Sequence, residues 1–183
     1  VKAIGLVNAK FIVNENIPKN LKIGLFEKAK VYDALIRFAP SASYYESDSK
    51  KDYIGLAIKI SDVAGKRLAF ESESIDLLLQ SHPCMYIGKL KDFRDVIYML
   101  NKTNPFFMAF YFLITGRFNV VKNFESGKSL PSSVLDISYW SQTPYRLGPK
   151  MVKYKISPTS KFKSEMPKKL TKTYLKDAME HHL

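Results

Sequence analysis

Side chains that usually carry chemistry are sparse in this sequence of 183 residues. Its three histidines are His82, His181 and His182, and its single cysteine is Cys84. No His/Cys set has zinc-ligand spacing, and one cysteine cannot form an intrachain disulfide. His181 and His182 lie at the extreme C-terminus, where fraying is expected. His82 adjoins Pro83 at the end of an apolar run and reads as structural. A glycine-rich phosphate loop, a nucleophile elbow and a metal-binding helix motif are all missing. What remains is charge, a formal net of +12. Lysines recur at 150, 153, 155, 161, 163, 168, 169, 172 and 176, and Glu165 is the only acid among them before Asp177. Such a tail attracts nucleic acid or anionic lipid, or else it is a solvated face. Lysine without interleaved arginine and aromatic contacts favours the solvated face, so no specific nucleic-acid partner is expected.

The elements that must position any site follow from patterning. At 46% hydrophobic and 25% charged residues, the chain can bury one sizeable core, which predicts a single domain. The N-terminus alternates polar and apolar residues and has no continuous apolar stretch of the kind a signal peptide needs. The most apolar run, Pro105 to Ile114, is shorter than the roughly 20 residues needed to cross a bilayer. These features, with the lone cysteine, predict a cytoplasmic protein without a transmembrane segment.

Val7 to Val13 alternates, with Val7, Ala9, Phe11 and Val13 on one face, and turn chemistry at Asn14 to Pro18 ends it. Asp33 to Phe38, Tyr53 to Ile60 and Arg67 to Leu79 have the same extended character. Four strands in one antiparallel sheet are therefore predicted, with Ser41 to Asp52 as a surface loop. Leu90, Phe93, Val96, Ile97 and Leu100 then fall at helical spacing. Asn104-Pro105 breaks that helix before a second one over Phe106 to Ile114. Residues 119 to 133 read as a loop, Lys150 to Ser157 alternates again, and Leu170 to Leu183 suggests an amphipathic helix. The fold class is α+β: an antiparallel β-barrel with flanking helices, since a barrel would hide the edges of so many strands. Eleven tyrosines and twelve phenylalanines suit such packing.

Four ordered stretches carry a resemblance. They are Tyr32 to Phe38; Asp48 to Lys59; Asp76 to Ile87 followed by Asp92-Phe93; and Tyr139-Trp-Ser-Gln-Thr-Pro-Tyr-Arg-Leu-Gly148 followed by Val152-Lys-Tyr154. In order and spacing they resemble the catalase-like haem-barrel superfamily, especially its smaller members. The resemblance spans nearly the whole chain and implies one catalase-like domain over residues 1–183, incomplete at both ends, as an N-terminal fragment would be.

It further implies haem on an eight-stranded antiparallel barrel, with peroxide or an organic hydroperoxide as substrate of the whole protein. Arg37 matches the arginine that pairs with a haem carboxylate, a task suited to a planar bidentate donor. The alternative for Arg37 is a pairing with a structural Asp or Glu. Its strand neighbours Ile36 and Phe38 would occupy the opposite face, so Arg37 is expected to point into the barrel. Phe93 and Leu78 are the expected apolar contacts to the cofactor, although Phe93 is equally well a core helix residue.

Departures from the family pattern bear on activity. The distal histidine would fall at or just before Val1, where this chain has none. Ala39 stands for the serine that supports it, Ile54 for an arginine of the Asp-x-Arg-Gly loop, and Gln80 or Ser81 for the distal asparagine. Gln80 and Ser81 are thus the distal-side candidates, and no catalytic residue is assigned. The proximal tyrosine belongs to a part of the family pattern beyond Leu183, so no axial ligand or metal ligand is assigned either. The resulting expectation is a catalase-like haem-binding domain, a catalase/peroxidase-type oxidoreductase if the whole protein is an enzyme, divergent and inactive as this chain. The alternative is a non-enzymatic binding or structural barrel with a basic surface. A homo-oligomer is compatible with both.

Overall fold

The computed structural model describes residues 2–42, 45–65, 72–85 and 87–183. Strands β1 (Gly5–Val13), β2 (Lys30–Pro40), β3 (Ile54–Ile60) and β4 (Ile75–Gln80) form successive antiparallel neighbours. The predicted antiparallel sheet is therefore present. The N-terminal part of the predicted Arg67 to Leu79 strand, residues 67–71, lies outside the described residues. Short strands β5 (Tyr139–Ser141) and β8 (Lys155–Ile156) extend the sheet to the order β1-β2-β3-β4-β5-β8. The fold is thus α+β, with a six-stranded antiparallel sheet curled into half a barrel.

Between β5 and β8, β6 (Tyr145–Leu147) and β7 (Lys150–Val152) make a separate hairpin. Its two-residue turn is Gly148-Pro149. Gly148 sits at φ 58°, a value glycine adopts without steric cost at the first position of such a turn.

Alternation decides which side of the sheet is buried. Phe38, Leu56 and Leu79 are cross-strand neighbours, as are Ile36, Ile58 and Leu77. They pack with Ile4, Leu25, Val134 and Tyr139 and with α4 (Tyr174–His182), which contributes Tyr174, Leu175 and Met179. Val7, Ala9 and Phe11 join this core from β1. The predicted face of that strand is the buried one.

The Ser41 to Asp52 segment is not simply a surface loop, because Asp48 is buried. Its Oδ1 pairs with Lys2 Nζ at 2.5 Å, and its Oδ2 accepts from the Leu175 N–H. Lys2 Nζ also donates to the Lys172 carbonyl at 2.6 Å. One buried ion pair therefore ties the N-terminus, the loop and the C-terminal segment together. The C-terminal histidines also depart from expectation. Both lie within α4, and the largely buried His182 side chain packs edge-on to Phe162.

Three helices follow β4: α1 (Leu90–Lys102), α2 (Pro105–Ile114) and α3 (Phe118–Ser126). The first two were predicted, and the third corrects the loop expected over residues 119 to 133. Val120, Val121 and Phe124 of α3 pack against a second cluster built on Val96, Met108 and Phe112, so tertiary burial outweighs the weak helix propensity of asparagine, valine and serine. At the start of α2, Asn104 Oδ1 accepts from the Phe107 N–H at 3.1 Å, with Pro105 in the first turn. This is the usual way to satisfy orphan donors at a helix start.

Candidate functional site

The face of the sheet opposite the core presents the cross-strand row Leu6, Arg37, Ala57, Leu78 and, beside it, the row Ala39, Gly55, Gln80, Trp140. Period-two alternation puts these residues there once Phe38, Leu56 and Leu79 turn inward. At the β2–β4 end of this face is an open cleft of about 450 Å³. Small residues, Ala39, Gly55 and Ala57, form its floor, and Arg37, Leu78 and Gln80 rise beside them. Pro40, Ser41, Met85, Phe93 of α1, Gln142 and Thr143 stand around them.

The cleft gathers Arg37, Leu78, Gln80 and Phe93, four of the five residues singled out from the sequence. Ser81 is not among its lining residues. The Ser81 hydroxyl accepts from the Ile54 N–H at 3.0 Å and secures the β3–β4 pairing. Arg37 requires a correction: it is exposed on the open face, while Ile36 and Phe38 face the core. With Asp33 and Arg37 at odd, exposed positions of the strand and Ala34, Ile36 and Phe38 at even, core-facing ones, the guanidinium is spared desolvation and stands at the rim of the cleft. It makes no salt bridge and no side-chain hydrogen bond among the described residues, so the structural-pair reading finds no partner there. Phe93 lines the cleft and also packs on the helical cluster.

Leu78 is held by a bond that strand patterning does not foresee. β5 pairs only with Leu79 and Gln80, and the Leu78 N–H donates instead to the Tyr145 hydroxyl at 2.7 Å. Gln142, Thr143 and Met85 were not chosen from the sequence as site residues. The side-chain amide of Gln142 donates to the His82 carbonyl at 2.6 Å, and its Oε1 is buried without a partner. The signal available for Gln142 and Thr143 was their place in the Tyr139–Gly148 stretch, which carried the resemblance but no assigned role.

Two further expected positions have clear placements. Ile54 is buried in the core, pointing away from the cleft. His82 is structural: Nδ1 bonds the Cys84 carbonyl at 2.8 Å, and its ring stands edge-on to Tyr53.

The cleft can be tested against haem. Its apolar walls and free guanidinium suit a flat macrocycle bearing carboxylates. The iron is another matter. Among the described residues no His, Cys or Tyr lines the cleft, and Met85 carries its one sulfur. The catalase class of axial ligand is tyrosine, so the residues fit the organic ring and not its metal. No group of three or more His, Cys, Asp or Glu side chains is arranged to hold a metal ion among the described residues.

On the far side of Phe93, α1 is anchored by charge. Arg117 Nη1 donates to Asp92 Oδ1 at 2.7 Å and to Asp95 Oδ2 at 2.9 Å, and its Nη2 donates to the Tyr111 hydroxyl at 2.9 Å. Hydrogen bonds from Arg94 and then Arg117 hold the Asp95 carboxyl below the usual aspartate range. The two carboxylates raise the Arg117 guanidinium in return.

Compared with protein-family models, with curated proteins and with solved structures, the chain finds no match in any of the three.

Proposed function

We propose that this chain is a binding module of catalase-like descent whose open-face cleft takes a flat, largely apolar ligand carrying a carboxylate, with haem or a related porphyrin as the ligand class. In this reading the curled sheet is part of a catalase-like eight-stranded barrel. The carrying observation is the unpaired Arg37 guanidinium at the rim of an apolar cleft that also holds Leu78, Gln80 and Phe93. An unpaired arginine beside apolar walls selects ligands that offer a carboxylate to the fork and a ring to the walls.

Peroxide turnover is not part of the proposal. General acid–base help worth roughly 10²–10⁴-fold needs a group that accepts and returns a proton. Gln80, Gln142 and Thr143 can only hydrogen-bond near neutral pH.

Titration with hemin and, separately, with metal-free protoporphyrin IX tests this reading by absorbance and fluorescence. Both should bind with similar affinity, because ring and carboxylate contacts carry the energy. Arg37→Ala should weaken both about tenfold, the worth of a charge-assisted hydrogen bond. Gly55→Val should block both, since a Cβ there meets only ordinary contacts with the Ala39 and Leu79 carbonyls, so the larger side chain fills the cleft without unfolding the sheet. The hemin-loaded chain should evolve no more oxygen from peroxide than free hemin does. Failure of both ligands to bind would overturn the reading. So would tight binding of hemin alone, which would mean that the iron is ligated.

A further inference from the structure

The second helix has an unusual outer face. On α2 the inward positions are Met108 and Phe112, with Ala109 and Tyr111 half-buried. The remaining arc, at 100° per residue, is Phe106, Phe107, Phe110, Leu113 and Ile114, and these five are 72, 57, 52, 58 and 65% exposed. Helices on the surface of a globular protein carry polar residues on that arc. Here no residue from Pro105 to Gly116 is charged. An apolar surface of this kind marks an interaction site.

Charge identifies the occupant. The acids of residues 89–128 are Asp92, Asp95 and Glu125, and each is held in an ion pair, by Arg117, by Arg94 with Arg117, and by Lys128. Lys89, Lys91, Lys102 and Lys122 are exposed and make no ion pair among the described residues. The helical region therefore presents bare aromatic and aliphatic groups together with uncompensated positive charge, on a chain whose net charge is +12. A second copy would bring the same cations to the contact and be repelled. An anionic lipid surface satisfies both features, since apolar side chains enter the acyl boundary while lysines meet the headgroups.

We propose that α2 docks the protein onto the surface of an anionic bilayer, lying in the interface with Phe106, Phe107, Phe110, Leu113 and Ile114 inserted. The helix has 10 residues and lies flat rather than spanning. Among the described residues no helix is long and apolar enough to cross a membrane. Phenylalanine suits this depth, being bulky and without a polar group that must be satisfied.

Flotation of the full chain with phosphatidylcholine vesicles, with and without phosphatidylserine, tests the proposal. Strong binding is expected only with phosphatidylserine present. Phe107→Glu with Phe110→Glu changes only exposed positions. It should leave the circular dichroism unchanged and lower the vesicle partition coefficient at least about tenfold, since two apolar insertions are lost and two negative charges are added. Lys102→Glu with Lys122→Glu should reduce it by about fivefold or more for each lysine. Retained binding in the phenylalanine variant would overturn the proposal in favour of the basic 150–176 segment acting alone. Absence of binding to phosphatidylserine vesicles, or a concentration-dependent dimer that the phenylalanine variant abolishes, would overturn it too. None of these readouts depends on the porphyrin cleft, so the two proposals stand or fall separately.

Discussion

The sheet and the three-helix region solve the same burial problem in opposite ways. In the sheet, burial alternates residue by residue, so that Leu6, Ile12, Val31, Leu35 and Leu78 stay on the open face while the other side is sealed by α4 and by the segment holding Val134 and Tyr139. In the helices, the most apolar segment of the chain faces outward, while the contact between α1 and the start of α3 is built from Asp92, Asp95 and Arg117. Hydrophobicity therefore tells which residues seek cover but not where cover is found. In the sheet a period of two leaves one choice. In a three-helix layer every helix has several neighbours to choose from, and a partly buried ion pair can claim the shared face.

If the two regions are separate cooperative units, matched core truncations should behave differently. Phe38→Ala and Phe112→Ala each remove a buried ring and should each cost about 3–5 kcal/mol. Hydrogen exchange should then show lost protection throughout the sheet for the first, but only within residues 90–126 for the second. Equal loss everywhere in both variants would merge the regions into one unit.

The seam between them offers a smaller perturbation. Gly127, just after α3, lies so close to Tyr53 and His82 that a Cβ would approach the Tyr53 hydroxyl to 2.5 Å and the His82 ring to 2.7 Å. Neither ring can give way as a flexible chain end would. Gly127→Ala should therefore cost about 1–3 kcal/mol by overpacking, read from the urea midpoint. It should lower exchange protection in α3 before β3. An unchanged midpoint would mean that the two regions touch more loosely than this.

Extremes of pH should separate the regions with the mildest effect. Burial, and next the charge of Asp48, push the Tyr174 hydroxyl up from 10.0 to about 12. A group raised in the folded state stabilises fully below its unfolded value, so the sheet core should weaken as pH climbs from 10 toward 12. Burial raises Tyr139 and Tyr154 as well, so Tyr174→Phe should make that alkaline loss shallower without removing it, and should cost about 1 kcal/mol at neutral pH for the hydrogen bond to Pro131. Asp95 is shifted the other way. Its lowered value gives stability above 3.8 that is lost as pH falls through the folded-state value. Acid should thus loosen the helices, and Arg94→Ala should bring that loosening to a higher pH. The same pH response in both regions would contradict the division.

Much of this molecule was legible in the sequence because local spacing settled it. Alternation in Val7 to Val13 selects the buried face of β1, since successive side chains of a strand must point to opposite sides. In Asp33 to Phe38, by contrast, it is Ile36 and Phe38, not the Arg37 expected to point inward, that face the core. Asn104-Pro105 starts a helix because one residue caps it and the other cannot sit in its interior. Arg37, Leu78, Gln80 and Phe93, which the resemblance singles out, line one cleft, and alternation accounts for how the first three share one face.

Tertiary structure alone decided the rest. Of the apolar stripe Leu90, Phe93, Val96, Ile97 and Leu100 on α1, Val96 is buried and Phe93 half-buried, yet Leu90, Ile97 and Leu100 are exposed, because Asp92 and Asp95 are drawn inward by Arg117, a residue 22 or more positions away. Residues 118–126 are helical only because Phe112 and Val96 offer Val120, Val121 and Phe124 somewhere to pack. Asp48 is buried because Lys2, 46 residues earlier, reaches it. Each of these outcomes turns on a partner far away in the chain, and a charge or a ring shows its chemistry in a sequence but not the neighbour that will satisfy it.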